Sequence, residues 1–171
     1  QQITTAGGNR YPAAKEALNA QVFSGALMLN YSGHGGEDGW TYERVLHASD
    51  LPKWRNTDKM PLFVTATCSF ARYDNPDKYS IGEKLMLYPN GGAIALMTTV
   101  RLVYAGSNAT LNSAFTKRLF EPINGTMPTI GEAARLAKND VFTLSYSPNF
   151  DSQSSAVNNH KFALFGDPAL H

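Results

Sequence analysis

Three short, almost unbroken apolar runs constrain the fold of this chain more than any other feature of its sequence. They cover residues 26–31, 62–67 and 92–98, and glycine or proline lies at their boundaries. A strand with one solvated face alternates between apolar and polar residues, whereas a continuous apolar run is typical of a strand covered on both faces. The runs therefore predict a parallel sheet between layers of helices.

Signals for helices lie between and after these runs. Pro12 is followed by small and apolar residues and predicts a short helix, because proline suits the first helical turn, where its missing N–H has no partner to lose. The pairs Ser80–Glu83 and Thr129–Glu132 have the spacing of capping boxes, in which side chains bond the first N–H groups of a helix. This alternation of strands and helices predicts an α/β architecture.

Four other segments complete the predicted organisation. Asp50 is expected to cap a short helix that runs to Trp54, and an apolar stripe over residues 111–119 predicts a further helix. Residues 162–165 are expected to form a short final strand. The polar stretch at residues 145–159 is expected to be a surface loop.

Size and charge limit the classes of protein to which the chain can belong. A length of 171 residues suits one domain, and 43% hydrophobic with 17% charged residues is typical of a globular protein. With 15 basic and 14 acidic residues the formal net charge is +1, so charge does not favour nucleic acid as a partner. No apolar run approaches the ~18 residues needed to span a bilayer.

The start of the chain and its few strands predict a piece of a longer protein. Gln1 stands where an initiator methionine would be, and three apolar runs are few for a complete sheet of this class. We therefore expect N-terminal strands of the sheet to lie outside these 171 residues.

Two chemically reactive side chains follow two of the apolar runs. The run at 26–31 leads into Ser-Gly-His-Gly-Gly, with His34 at its centre, and the run at 62–67 leads directly into Cys68, the single cysteine. The carboxyl ends of parallel strands lie at one edge of a sheet, and a right-handed crossover would place these two ends side by side. A Cys–His dyad is therefore geometrically feasible.

Such a dyad has a defined chemistry. Imidazole can hold the thiol proton near neutral pH, and the resulting thiolate can attack a carbonyl carbon to form a thioester. The backbone N–H groups of Gly35 and Cys68 would then bind the oxyanion. Structural interpretations stay open on this evidence alone, since a lone cysteine is commonly a small buried hydrophobe and His34 would also fit a glycine turn.

Two other kinds of site fit the histidine loop less well. A dinucleotide-binding fingerprint needs a third glycine where Asp38 stands, and no Lys-Ser/Thr pair follows as in a P-loop. A metal site would have to combine His34 with Glu37, Asp38, His47 or His160, none of which has the helical spacing of a zinc-binding pair. We therefore expect neither a metal nor a cofactor.

The order and spacing of several motifs resemble the gingipain-type cysteine peptidase family, which has a caspase-like fold. The strongest match is Asn30-Tyr31-Ser32-Gly33-His34-Gly35-Gly36 followed by Thr65-Ala66-Thr67-Cys68. Further matches are Pro61-Leu62-Phe63, residues 70–74, Gly82-Glu83, residues 91–95, Thr98-Thr99-x-Arg101, Gly131-Glu132-Ala133 and residues 164–170. Within the family, the loop around Trp40, the Thr-Thr-x-Arg stretch and the Gly-Asp-Pro-Ala-Leu ending are most similar to the PorU-like sortases of type IX secretion in Bacteroidetes.

The resemblance implies a fold and a set of catalytic residues. The fold would be a three-layer α/β caspase-like one with a mostly parallel sheet, of which residues 1–171 would be the C-terminal portion of the catalytic domain. Cys68 would be the nucleophile and His34 the general acid and base. The amides of Gly35 and Cys68 would form the oxyanion hole.

Other residues receive weaker roles from the same resemblance. Trp40, Thr99 and Arg101 are expected to line the substrate cleft, with a structural hydrogen-bonding role at a strand end as the alternative for Thr99 and Arg101. The family's acidic residue that orients the histidine comes from an earlier strand, so we expect it to be missing here. Glu37 and Asp38 are expected to lie in a solvated loop.

The resemblance also implies substrates and partners. The parent protein would cleave secreted cargo that carries a C-terminal signal domain, with water or a lipopolysaccharide amine resolving the thioester and type IX secretion components as partners. Its place would be the outer surface of a Gram-negative bacterium. Two alternatives are a gingipain-like secreted endopeptidase of broad protein digestion and a non-catalytic caspase-like scaffold domain.

Overall fold

The computed structural model describes residues 2–6, 8–144 and 152–171, and these form an α/β structure. The strands are β1 (Ile3–Thr5), β2 (Gly8–Arg10), β3 (Met28–Ser32), β4 (Gly35–Gly36), β5 (Gly39–Trp40), β6 (Leu46–His47), β7 (Leu62–Ala66), β8 (Ala95–Thr99) and β9 (Phe162–Gly166). The helices are α1 (Pro12–Ser24), α2 (Ile81–Leu87), α3 (Ala105–Leu119), α4 (Ile130–Leu144) and α5 (Ser152–His160), with 3₁₀ helices at Ala48–Lys53 and Thr57–Lys59.

The central sheet has the strand order β3-β7-β8-β9. The first three strands are the three predicted apolar runs, and they pair in parallel, with Met28 opposite Leu62 and Leu62 opposite Ala95. The last strand, β9, pairs antiparallel with β8. The prediction of a mostly parallel sheet is therefore confirmed, as is the final strand expected at residues 162–165.

Burial separates the inner strands from the edge strand. All residues of β7 and β8 are buried, as continuous apolar runs predict. The first run was expected to be covered on both faces, but β3 lies at the sheet edge and is only partly covered. The exposed Asn30 on this strand exchanges two amide hydrogen bonds of 2.9 Å with Asn112 of α3.

The sheet is covered by helices on both faces, because successive side chains of a strand point to opposite sides. Leu62 and Val64 of β7 pack with α3 and α4 in one core, which we call the α3/α4 core. Phe63 between them packs on the other face with α1, α2 and the segment 40–54, which we call the α1/α2 core. These three layers match the sequence prediction.

Most predicted helix signals are confirmed. Helix α1 has Pro12 in its first turn, and the Ser80–Glu83 capping box is present at the start of α2. At α4 only half of the predicted box forms, because the Thr129 hydroxyl accepts from Glu132 N at 3.1 Å while the Glu132 carboxylate bonds Arg135.

Asp50 does not occupy the N-cap position that the sequence predicted for it. The 3₁₀ helix Ala48–Lys53 is capped by His47, whose ring accepts from Ser49 N. Asp50 lies in the first turn, where it accepts from His47 N at 3.0 Å and pairs with Lys15 at 2.6 Å.

The prediction of a surface loop at residues 145–159 is wrong for the second half of that stretch. Residues 145–151 lie outside the described residues, whereas residues from 152 onward form α5. Asn158 of this helix is buried, and its amide accepts from Tyr104 N at 3.1 Å and donates to Asn108 at 2.9 Å. A prediction from hydropathy assigns such polar residues to the surface, although internal hydrogen bonds allow them to be buried.

Within the described residues, no helix has the length and apolar character needed to cross a membrane.

Candidate active site

The histidine and cysteine loops leave the same edge of the sheet. Strands β3 and β7 are parallel neighbours whose last residues, Ser32 and Ala66, are in register, and Gly33 N extends the pairing by donating to Ala66 O at 3.3 Å. His34 follows the first strand and Cys68 the second. Both line one cleft of about 720 Å³, so the structure brings the two predicted dyad residues to a common site.

The backbone of the histidine is held by two hydrogen bonds. The Tyr31 hydroxyl donates to His34 O at 2.7 Å, and Thr41 N donates to the same oxygen at 2.9 Å. The Tyr31 ring in turn stacks on Trp40 with 4.3 Å between ring centroids. Burial, and secondly the charge of Glu43, raise the pKa of Tyr31, so its hydroxyl remains a proton donor at neutral pH. The backbone is fixed while the imidazole stays exposed.

Gly35 directs its N–H group away from the neighbouring strand. The bond from Thr41 N to His34 O makes His34 and Thr41 a hydrogen-bonded pair of the β4–β5 hairpin, so the next pair, Gly35 and Trp40, is a non-bonded one. A β-carbon on Gly35 would overlap the Thr67 hydroxyl and lie 2.9 Å from Gly39 O. Glycine thus lets the hairpin pack directly on the residue that precedes Cys68.

The cysteine lies at a sharp turn in the chain. Ser69, the next residue, has a left-handed φ of 47°, which is uncommon for a residue other than glycine and recurs at functional sites. Its N–H donates to Arg101 O at 3.1 Å, and the Thr99 hydroxyl donates to Thr67 O. These bonds fix the backbone on both sides of Cys68, whose thiol is partly exposed.

The thiol is oriented by the segment that follows β8. Cys68 Sγ lies 3.8 Å from Val103 O and donates to it. Leu102, next to Val103, is 72% exposed and lines the cleft. The β8–α3 connection therefore contributes Leu102 to the lining of the cleft.

Titratable side chains also line the cleft, among them Glu43, Arg44 and His47. Burial, and secondly the charge of Arg44, lower the pKa of His47, so this ring is neutral at pH 7. Because its Nδ1 accepts from Ser49 N at 3.2 Å, the proton of the neutral ring is on Nε2. The two histidines therefore differ: a backbone N–H group binds the ring of His47, whereas within the described residues no backbone group binds the ring of His34.

Three residues expected to line the substrate cleft are placed elsewhere. Trp40 is 4% exposed and packs between Tyr31 and the α1/α2 core, and Thr99 is fully buried with its hydroxyl bonded to Thr67 O. Both side chains pack inside the protein, and neither lines the cleft that His34 and Cys68 share. Arg101 is exposed but does not line the cleft, and it binds Asp74 at 2.7 Å.

The loop after the histidine also departs from its prediction. Glu37 was expected to be solvated, but its carboxylate accepts from Arg72 at 3.1 Å and from Asn75 at 3.0 Å. Asp38 pairs with Lys78 at 2.8 Å and is mainly exposed, as expected. No signal in the sequence joins Glu37 to partners this far along the chain, and the roles of Tyr31 and Val103 were missed for the same reason.

Within the described residues, no group of three histidine, cysteine or acidic side chains could hold a metal ion.

A sequence model of Peptidase family C25 matches residues 1–171. The chain belongs to Peptidase family C25. The match covers both loops of the cleft, and the resemblance to gingipain-type peptidases seen in the motifs is thereby confirmed. Among curated proteins, none matches the chain by sequence.

Three solved structures share the fold. The Arg-specific cysteine proteinase gingipain R (RgpB) matches with a TM-score of 0.76 and 18% identity over 91% of this chain and 35% of its own. A complex of the Porphyromonas gingivalis RgpB pro- and mature domains matches with a TM-score of 0.76 and 16% identity over 91% and 36% of the two chains. A third structure, described as a protease, matches with a TM-score of 0.70 and 16% identity over 88% and 36%.

These comparisons confirm the predicted α/β caspase-like fold of gingipain type. The chain spans about a third of the length of the solved structures that it matches.

Proposed function

We propose that this chain carries the catalytic dyad of a cysteine endopeptidase, with Cys68 as nucleophile and His34 as general acid and base. The observation that carries the proposal is their placement at the ends of two hydrogen-bonded parallel strands, on one cleft, in a member of Peptidase family C25. The exposed imidazole and the partly exposed thiol are both accessible to a peptide in the cleft.

The geometry supports a thioester mechanism. The His34 imidazole takes the thiol proton of Cys68, and the thiolate attacks the carbonyl carbon of the scissile peptide bond. The N–H groups of Gly35 and Cys68 bind the oxyanion of the tetrahedral intermediate. When the intermediate collapses, the imidazolium gives its proton to the leaving amine, which leaves an acyl thioester on Cys68. Attack by water or by an amine, deprotonated by His34, releases the product and restores the thiol.

Replacing Cys68 by alanine in the full-length protein tests the dyad. We expect Cys68→Ala to abolish peptide cleavage and His34→Ala to lower kcat by at least about 100-fold, since acid–base catalysis typically contributes 10²–10⁴-fold. The Lys78→Ala variant, which changes an exposed ion pair, is the control. Undiminished cleavage by Cys68→Ala would contradict the proposal.

A cysteine-directed covalent probe separates the enzyme from a non-catalytic scaffold. In the enzyme, the probe labels Cys68 and labelling slows in His34→Ala. A protein that binds its partners while Cys68 remains unlabelled would be the scaffold.

Within this class we propose that the substrates are secreted proteins with a C-terminal signal domain, which the enzyme removes at the surface of a Gram-negative cell during type IX secretion. The support is the sequence similarity to sortases around Trp40, at Thr99 and Arg101, and over residues 166–170. The thioester would pass to water or to an amine of lipopolysaccharide. The alternative is a secreted endopeptidase of broad digestion, which the likeness to gingipain R fits equally.

An added amine separates these two activities. A cargo protein with its signal domain is incubated with the full-length enzyme, with and without a small primary amine. Release of the signal domain with an amine-linked cargo product supports the sortase. Digestion of unrelated proteins without an amine-linked product supports the broad endopeptidase.

A further inference from the structure

Glu37 joins the histidine hairpin to the segment that follows the cysteine. Its carboxylate is shared between two donors, Arg72 Nη1 at 3.1 Å from Oε1 and Asn75 Nδ2 at 3.0 Å from Oε2. Its backbone carbonyl accepts from Ile81 N, the first residue of α2, at 2.7 Å. One residue thus makes three hydrogen bonds to the segment 72–81.

The partners of Glu37 are themselves held in place. Asn75 accepts from Asp77 N at 3.1 Å through its side chain, and its own N–H donates to Arg72 O at 3.3 Å. Gly82 N donates to Phe70 O at 3.0 Å, which fixes the start of α2 against the cysteine turn. The carboxylate therefore binds a folded loop rather than two mobile side chains.

Burial separates this contact from a neighbouring ion pair on the same hairpin. The two cations are similarly exposed, Arg72 at 45% and Lys78 at 40%, but the carboxylates differ: the Glu37 side chain is 18% exposed and that of Asp38 is 59% exposed. Exposed pairs contribute little because water and salt screen them. A carboxylate that is mostly out of water and bonded at both oxygens holds its geometry more strongly.

We propose that Glu37 is a positioning residue that holds the histidine hairpin against the cysteine loop, so that the His34 imidazole stays within reach of the Cys68 thiol. The inference deepens the proposed function and rests on it for its catalytic consequence. Glu37 lies three residues after His34, and its partners begin four residues after Cys68, so the contact joins the two halves of the dyad by a short path on each side. Glu37 also lines the cleft, but the bonds of its carboxylate go to Arg72 and Asn75, so we infer that it acts through the backbone of its hairpin.

The predicted consequence is a loss of alignment rather than of binding. Removing the carboxylate frees the hairpin to shift, and a misplacement of about 1 Å can cost about 10²-fold in rate. We expect Glu37→Ala in the full-length protein to lower kcat by about 10- to 100-fold with KM changed less than about twofold. Glu37→Gln keeps the side-chain length and the bond to Arg72, and we expect it to recover part of the loss.

The decisive measurement is the pH dependence of Cys68 alkylation by iodoacetamide, which needs no substrate. Alkylation proceeds through the thiolate, so an imidazole that takes the thiol proton speeds the reaction. We expect Glu37→Ala to shift the alkylation profile toward that of His34→Ala, with near-ultraviolet circular dichroism unchanged. Lys78→Ala, which removes the exposed pair on the same hairpin, should keep the wild-type profile.

Two results would overturn the positioning role: a wild-type alkylation profile and kcat in Glu37→Ala, or an equal loss in Lys78→Ala. Failure of the dyad itself is recognised separately, because His34→Ala would then alkylate like the wild type. In that case amide hydrogen exchange tests whether Glu37 holds the hairpin in place. If the amides of residues 34–37 exchange no faster in Glu37→Ala than in Lys78→Ala, the positioning role is refuted.

Discussion

Two adjacent glycines in the cleft have different reasons to be glycine. A β-carbon at Gly35 would overlap the Thr67 hydroxyl and lie 3.2 Å from the Thr67 methyl carbon. A β-carbon at Gly36 would meet no atom within 4 Å. Neither residue has a left-handed φ, so close packing against Thr67, and not backbone conformation, requires the glycine at Gly35.

Alanine at Gly35 is therefore expected to push the histidine hairpin away from the cysteine strand. We expect Gly35→Ala to destabilise the protein by about 1–3 kcal/mol, as overpacked cores do, and to slow Cys68 alkylation at neutral pH. Gly36→Ala is the matched control and should change the free energy of unfolding by less than about 0.5 kcal/mol. Urea unfolding and alkylation rates measure both effects, and equal behaviour of the two variants would contradict this account.

The small sheet β4-β5-β6 continues into a 3₁₀ helix through one histidine. His47 ends β6 and caps the helix, with Nδ1 accepting from Ser49 N at 3.2 Å. Burial and the nearby Arg44 lower the pKa of His47 from its ordinary value of 6.5, against the opposite effect of Asp38 and Asp50. Protonation at Nδ1 removes the acceptor that caps the helix, so the folded protein favours the neutral ring.

This linkage predicts a loss of stability on acidification. The pKa of His47 is lower in the folded protein than in the unfolded chain, so on acidification the unfolded chain binds the proton first. The stabilisation is therefore complete above about pH 6.5 and is lost as the pH falls through the pKa of His47 in the folded protein. Asparagine caps helices and does not titrate. We expect His47→Asn to match wild-type stability at pH 7.5 and to lose less of it by pH 5.5, as measured by urea unfolding at each pH.

Arg44→Gln provides the companion variant for this measurement. Since the charge of Arg44 is the second cause of the lowered pKa, after burial, its removal should reduce the acid loss without abolishing it. Identical pH slopes for the wild type and His47→Asn would show that His47 does not carry the effect.

The whole molecule depends on two cores separated by one sheet. Phe63 of β7 is fully buried in the α1/α2 core, with its ring centroid 5.9 Å from that of Trp40 and 6.3 Å from that of Trp54. Trp54 Nε1 donates to Asn19 of α1 at 3.0 Å, which ties that helix to the same core. The phenyl ring therefore joins the sheet, the histidine hairpin and α1.

Removal of this ring is expected to destabilise the whole fold. We expect Phe63→Ala to lower the free energy of unfolding by about 3–5 kcal/mol, the usual cost of a large-to-small change in a core. Phe23→Ala on α1, where the ring is 44% exposed, should cost less than about 1 kcal/mol. Tryptophan fluorescence during urea unfolding reports this core directly, and similar losses in the two variants would contradict the assignment of Phe63 to it.

Patterns that are local in the chain were predicted well. Apolar runs located β7 and β8 because burial on both faces leaves a continuous signal, and Ser80 with Glu83 located the start of α2 because capping needs only neighbouring residues. The polar stretch before Phe162 was misassigned in part, since the internal bonds of Asn158 cannot be seen in its sequence neighbours.

Strand periodicity and chain order were sufficient to predict the parallel strands, most of the flanking helices and the pair of strand ends that carry His34 and Cys68. The interior positions of Trp40 and Thr99, and the bonds of Glu37 to Arg72 and Asn75, become visible only in the folded chain. The physical reason is distance along the chain. The partners of Glu37 lie 35 and 38 positions away, and side-chain contacts of that separation exist only after the strands have paired.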